Sequence, residues 1–179
     1  MFVRRRHAVA AVLAVALLTT GCGSPASSPT PEPTATAPSP TDSDTAAFAA
    51  AEATYRAYVD ALNAVDLSDP TTFEPVLALT TDEAEVSVAR SFEEMRSKSW
   101  QVEGRSTIVS LSPDEMNAAR TRATLAVCLD VSRVSVVDKN GASMVGDRPD
   151  IQSLQISATR SDDGWLLSKF ESNAVPRAC

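Results

Sequence analysis

The sequence predicts an α+β domain in which N-terminal helices pack on a bent antiparallel sheet. Three observations predict it. Apolar residues recur at helical spacing in the first half, with Phe48, Tyr55, Val59 and Leu62 on one stripe and Val88, Phe92 and Met95 on another. The period then drops to that of a strand, as Leu125, Val127, Leu129 and Val131 alternate with smaller or polar residues. Asn140-Gly141 and Asp163-Gly164 punctuate the second half as turns. Helices first and a meander of strands afterwards make two layers, each burying its apolar face against the other.

In chain order, the first helix is expected over residues 46–63, where Asp44 or Thr45 can accept hydrogen bonds from the orphan amides of the first turn. A loop around Asp69-Pro70 leads to a short helix over 72–79. A third helix starts at Thr80 or Thr81, with Asp82, Glu83 and Glu85 in its positive first turn, and runs to about residue 99. A strand is expected over 103–111, where Thr107, Ile108 and Val109 are β-branched. A long strand follows over 119–137. Past Ser132 its apolar positions move to Val134 and Val136, a shift of phase by one, so a bulge near Ser132-Arg133 is expected to restore the facing and bend the strand. Residues 151–159 and 165–170 complete the sheet.

The residues before this domain read differently. Arg4, Arg5 and Arg6 precede an apolar run over 8–18, and small residues Thr19, Thr20 and Gly21 follow. A basic start, a short apolar stretch and a small-residue end define a secretory signal. The run is too short to span a bilayer, which takes about 20 apolar residues. His7 and Ala8 stand where a twin-arginine signal carries hydrophobic residues after its pair. Leu17-Leu18-Thr19-Thr20-Gly21-Cys22 resembles the bacterial lipobox, with Thr19 where that pattern prefers Leu. The resemblance implies that the Cys22 thiol is acylated and that residues 1–21 are removed. Residues 23–45 are mostly Pro, Ser and Thr with no large apolar side chain. Such a stretch buries too little surface to offset its ordering entropy, and its prolines bias it to extended geometry. The expected organisation is therefore a signal over 1–21, a lipidated tether over 22–45 and one domain over 46–179. That address is the extracytoplasmic face of the cell membrane, with the lipid as the contact to the bilayer.

Composition excludes several activities. The chain carries net charge −7, and is more acidic still once the three leading arginines are lost. That disfavours nucleic acid, whose phosphates need clustered Lys and Arg. The single histidine is His7, within the signal, so Ser-His-Asp and Cys-His catalysis and histidine-based zinc sites have no residue to use in the mature protein. The domain glycines, Gly104, Gly141, Gly146 and Gly164, form no run that cradles a phosphate. Asp82, Glu83, Glu85, Glu93 and Glu94 lie on a helix without the loop spacing of a calcium site and read as a solvated face. No metal and no cofactor are expected.

Helices followed by a bent sheet that closes on Gly164-Trp165-Leu166-Leu167-Ser168 resemble the NTF2-like (cystatin-like) cone. More narrowly, Cys128-Leu129-Asp130-Val131-Ser132, then Val136-Val137-Asp138, Arg148-Pro149-Asp150 and Cys179 resemble a group of small actinobacterial secreted lipoproteins. With Cys22 consumed by lipid, Cys128 and Cys179 remain, and an even pair in an oxidising compartment reads as one structural disulfide.

Some NTF2-like enzymes use an acidic base with a phenol or second acid in the cone cavity, which the resemblance extends to Tyr55, Tyr58, Asp60, Asp130 and Glu171. Tyr55 lies on the apolar stripe, Tyr58 and Asp60 face solvent or a neighbouring strand, and Asp130 shares the face of Cys128 within reach of Arg122 or Arg133. Trp100 and Trp165 close a core or line a pocket. Tyr55, Asp130 and Trp165 are the candidate pocket, and no residue is assigned as catalytic. The expected function is a non-enzymatic binding or protein-interaction module whose partner is an envelope protein or a small ligand. The alternative is a small-ligand carrier or cavity enzyme using an Asp/Tyr pair.

Overall fold

The computed structural model describes residues 40–172 and Cys179. The first helix, α1, runs Pro40–Leu62 and so begins six residues ahead of its expected start, inside the segment assigned to the tether. A proline suits a first helical position, because its φ is preset and the N–H it lacks would be unsatisfied there anyway. Asp44, in the same stretch, pairs with Arg120 from a sheet turn, which ties this end of the helix down. Ala51, Tyr55, Tyr58 and Val59 are buried, the spacing of one helical face.

At its other end α1 is fastened through Asn63. The side-chain amide donates to the Ser106 carbonyl at 2.9 Å and its oxygen accepts the Ser106 N–H at 2.8 Å. A 3-10 turn over Pro70–Phe73 is capped by the Asp69 carboxylate, which accepts from the Thr71 N–H at 3.0 Å. It leads into a single turn, α2, over Glu74–Leu77. Thr81 N–H then donates to the Leu167 carbonyl and Leu167 N–H to the Leu79 carbonyl, sewing this segment to the edge of the last strand. The third helix, α3, spans Asp82–Ser97 and buries Ala84, Val88 and Phe92.

Six strands follow: β1 (Gln101–Glu103), β2 (Thr107–Met116), β3 (Arg122–Asp130), β4 (Ser135–Val137), β5 (Ile151–Ser161) and β6 (Gly164–Ser172). The main sheet is antiparallel in the order β2-β3-β5-β6, and β1 pairs with β4 in a separate ribbon. On β3, Ala123, Leu125, Val127 and Leu129 join the core under the helices, opposite Ile156 and Ala158 on β5. Pro113 sits in β2, an edge strand, where proline is tolerated, and the strand carries register shifts at Ile108/Ser110 and Pro113/Glu115.

Two expected strands are each broken in two. The expected strand over 103–111 is interrupted at Gly104–Ser106, where Gly104 has φ +87° and its backbone passes the Arg133 carbonyl so closely that a Cβ would lie 1.8 Å from the oxygen. The long strand expected over 119–137 ends at Asp130 instead of bulging. The Asp130 carboxylate accepts the Ser132 N–H at 2.8 Å, Val134 N–H donates to the Val131 carbonyl, and the Arg148 guanidinium donates to the carbonyls of both Val131 and Val134. With those carbonyls spent on a turn, the chain leaves the main sheet and starts β4 in the ribbon.

Candidate functional site

The three residues expected to share a pocket are not brought together. Tyr55 and Trp165 are both buried in the single core cluster. Thr54, next to Tyr55, donates its hydroxyl to the Trp165 carbonyl at 3.2 Å. Asp130 lies at the end of β3 remote from the Trp165 end of the sheet, on the face opposite Leu129. Hydrogen bonding from Ser132 holds its carboxyl below the usual carboxylate range, and the charge of Arg133 adds to the effect. Asp130 is thus an ionised turn-former outside the cone.

The interior offers no acid–base pair among the described residues. Burial pushes the Tyr55 phenol up, helped by the adjacent Tyr58, whose ring centre is 6.2 Å away. Burial likewise pushes Tyr58 up to about 12, and its ring packs on Phe170 of β6 at 5.1 Å. Tyr58 therefore faces a strand, while Asp60 faces solvent. Two phenols that resist ionisation, packed among Leu125, Val127 and Ile156, are core residues. On the outer face of β3, Cys128 is joined to Cys179 across a Cα separation of 5.6 Å.

Open space lies elsewhere, past the C-terminal ends of α1 and α3 and under the β1–β4 ribbon. It has an inner lobe of about 250 Å³ and an open outer lobe of about 580 Å³, which share Val65, Leu67, Val102 and Glu103. The inner lobe is apolar on three sides: Leu62 beside α1's end, Phe92 and Met95 from α3, and Val134 and Val136 from the ribbon. The outer lobe is polar, with Asp66, Ser68, Arg96, Ser99 and Gln101 around the half-buried Trp100. Lys98 lies 4.8 Å from the Trp100 ring centre and pairs with Glu94, lowering that carboxyl's pKa. Arg96 is paired with Glu93 at 3.3 Å. Ser68 donates from both hydroxyl and amide to Asp66 and so keeps its carboxyl below the usual range.

Each wall has a local cause. The close passage of Gly104 by the Arg133 carbonyl brings the β1–β2 connection against the β3–β4 connection. Trp100 N–H reaches back to the Met95 carbonyl at 2.9 Å, so the helix ends where the ribbon must begin. Of the residues bordering the cleft, Trp100 is the one that the sequence offers as a pocket liner. The signal for Val134 and Val136 was their phase shift, which marks a departure from the sheet and not a bulge within it. Among the described residues, no group of His, Cys, Asp and Glu is arranged to hold a metal ion, and no helix is long and apolar enough to cross a membrane.

No family model matches the chain, and no curated protein matches it. Solved structures do. One is a Novosphingobium aromaticivorans protein, provisionally named an aromatic ring hydroxylase, 12% identical with a TM-score of 0.52 over 74% of this chain and 92% of that one. Another, from Catenulispora acidiphila, is 15% identical with a TM-score of 0.48 over 73% and 93% of the two chains. At 12% identity the first likeness carries the fold and nothing of the chemistry. Three N-terminal helices packed on a bent antiparallel sheet give this chain the NTF2-like α+β fold.

Proposed function

We propose that this chain is a lipoprotein of the extracytoplasmic face of the cell membrane, anchored by an acylated Cys22, and that its NTF2-like domain is a non-enzymatic binding module whose ligand seats in the cleft under the β1–β4 ribbon. The anchor rests on the signal-like start, the lipobox-like run into Cys22 and the Pro/Ser/Thr stretch after it. The resemblance to small actinobacterial secreted lipoproteins and the disulfide agree with an oxidising compartment.

One observation carries the binding reading. Among the described residues the packed interior holds two protonated phenols and no partner carboxylate, while the open volume is an apolar cleft with a polar mouth. A concave, largely apolar site with a few polar groups at its rim is the usual form of a small-ligand site. An Asp/Tyr cavity enzyme needs its acid beside its phenol, and here Asp130 is on the outer face. A small ligand is favoured over an envelope protein because the inner lobe is a recess and not a flat patch.

Two measurements test this. Cys22→Ser should abolish labelling by a palmitate analogue and move the chain from membrane to soluble fractions; unchanged labelling would sink the anchor. Native mass spectrometry of the protein gently released from its own host should find a co-purifying mass of a few hundred daltons. A second protein in its place would convert the reading to an interaction module.

A further inference from the structure

We infer that the cleft takes a small amphiphile with an uncharged or cationic head, its apolar group in the inner lobe and its hydrogen-bonding head in the outer one. This rests on the binding reading above and adds the class of ligand.

The division of the cleft carries the first half. At about 30 Å³ for each water-sized group, an inner lobe of about 250 Å³ accepts roughly eight heavy atoms, an alkyl chain or a single substituted ring. Its walls are hydrocarbon and a phenyl ring from Leu62, Phe92, Met95, Val134 and Val136. The Asn63 amide also borders it, and both of that side chain's polar ends are spent on Ser106. A polar group placed against those hydrocarbon walls would be left unpaired, at a cost in free energy, and the lobe's other polar lining is confined to Ser106 and Glu103. The outer lobe is the reverse: Ser68, Ser99 and Gln101 present hydroxyls and an amide to a space open to water.

Charge carries the second half. Glu103 borders both lobes and so lies where the tail meets the head. Asp66 adds a second carboxylate that Ser68 keeps ionised. The one cation in the lining, Arg96, is engaged with Glu93. An anionic head would meet Glu103 at the waist and Asp66 in the outer lobe, against a lining whose one cation, Arg96, already shares its charge with Glu93, in a chain of net charge −7. A hydroxylated head can donate to both carboxylates, and an ammonium gains from them.

The test uses the chain from residue 22 onward carrying Cys22→Ser, so that no detergent competes. Calorimetry would compare octyl glucoside below its micellar concentration, octyltrimethylammonium and octanoate. The first two should bind, and octanoate should bind at least about tenfold more weakly, the equivalent of ~1.4 kcal/mol. Glu103→Gln, at an exposed position, should narrow that gap severalfold; Val136→Trp should abolish binding of all three. Octanoate binding as tightly as the others, or a gap that Glu103→Gln leaves untouched, overturns the assignment of charge. Binding that survives Val136→Trp in a folded protein overturns the cleft itself. If no probe binds while a small molecule of other chemistry co-purifies from the host, the ligand class falls and the binding reading stands.

Discussion

Around Leu125 and Ile156 the main sheet meets α1 with both side chains fully buried, whereas around Val102 and Val136 the β1–β4 ribbon stands off from α3 over a recess of about 250 Å³. The residue types at the two ends are alike. What differs is the backbone that carries them. At the closed end β3 is paired on both sides and every second residue drops onto the helices. At the open end, among the described residues, a three-residue ribbon is paired only with itself and with the turn that follows, through a bridge from Val137 to Ser143 and the Met144 N–H donated to the Val136 carbonyl. The same aliphatic side chains therefore close a core at one end and border open space at the other.

The contrast is broken or upheld most directly by trimming one side chain at each end. Ile156→Ala should lower the unfolding free energy by about 2–5 kcal/mol, as for a large residue removed from a close-packed core. Val136→Ala, bordering space that is already empty, should cost less than about 1 kcal/mol by the same denaturant titration. Equal costs would mean that the open end is as well packed as the closed one.

Alkali probes the closed end alone. Both tyrosines of the chain are buried there. Their folded pKa values lie above the unfolded value near 10, so the unfolded state releases these protons first and stability falls as pH rises beyond 10. For Tyr58, raised to about 12, the loss by pH 12 is of order 2 kcal/mol. Phenolate absorbance should stay silent near pH 10 and then rise together with loss of helix signal. A separate early phase at pH 10 would show an exposed tyrosine and refute the packing.

Gly104→Ala sharpens the open end. It places a methyl against the Arg133 carbonyl at a φ of +87°, so the ribbon must shift. The expected cost is about 1–3 kcal/mol, with ligand binding lost through a change in the height of the ribbon. The smallest effect is expected for Asp130→Asn, whose turn amide can still be accepted by the side-chain carbonyl. Its unfolding midpoint at pH 7 should barely move. The ionised carboxylate helps only above the unfolded pKa and is lost as pH falls through the lower folded one, so the difference between variant and parent should vanish in acid.

Much of the closed end was legible in the sequence. Val88 and Phe92 on α3, Tyr55 and Val59 on α1, and the alternation from Leu125 to Leu129 are local patterns, and burial followed them. The start of α1 was hidden because Pro and Thr around residue 40 have low helical preference. The restraint there comes from Arg120, distant in sequence. The open end was hidden for a related reason. Val134 and Val136 announced a change of facing, but whether a strand bulges or stops depends on who takes its carbonyls, and that role falls to Arg148. A cleft is a product of several chain segments, and only Trp100 hinted at it.

The length of α1 has a mechanical consequence. Its 23 residues make a rod of about 35 Å, entered beside Arg120 and left at Asn63, where the cleft begins. The Asp44–Arg120 pair fastens the start of this rod to the β2–β3 turn, and the residues that border the cleft lie at its other end. Under the function proposed above, the attachment and the ligand seat lie at opposite ends of that rod.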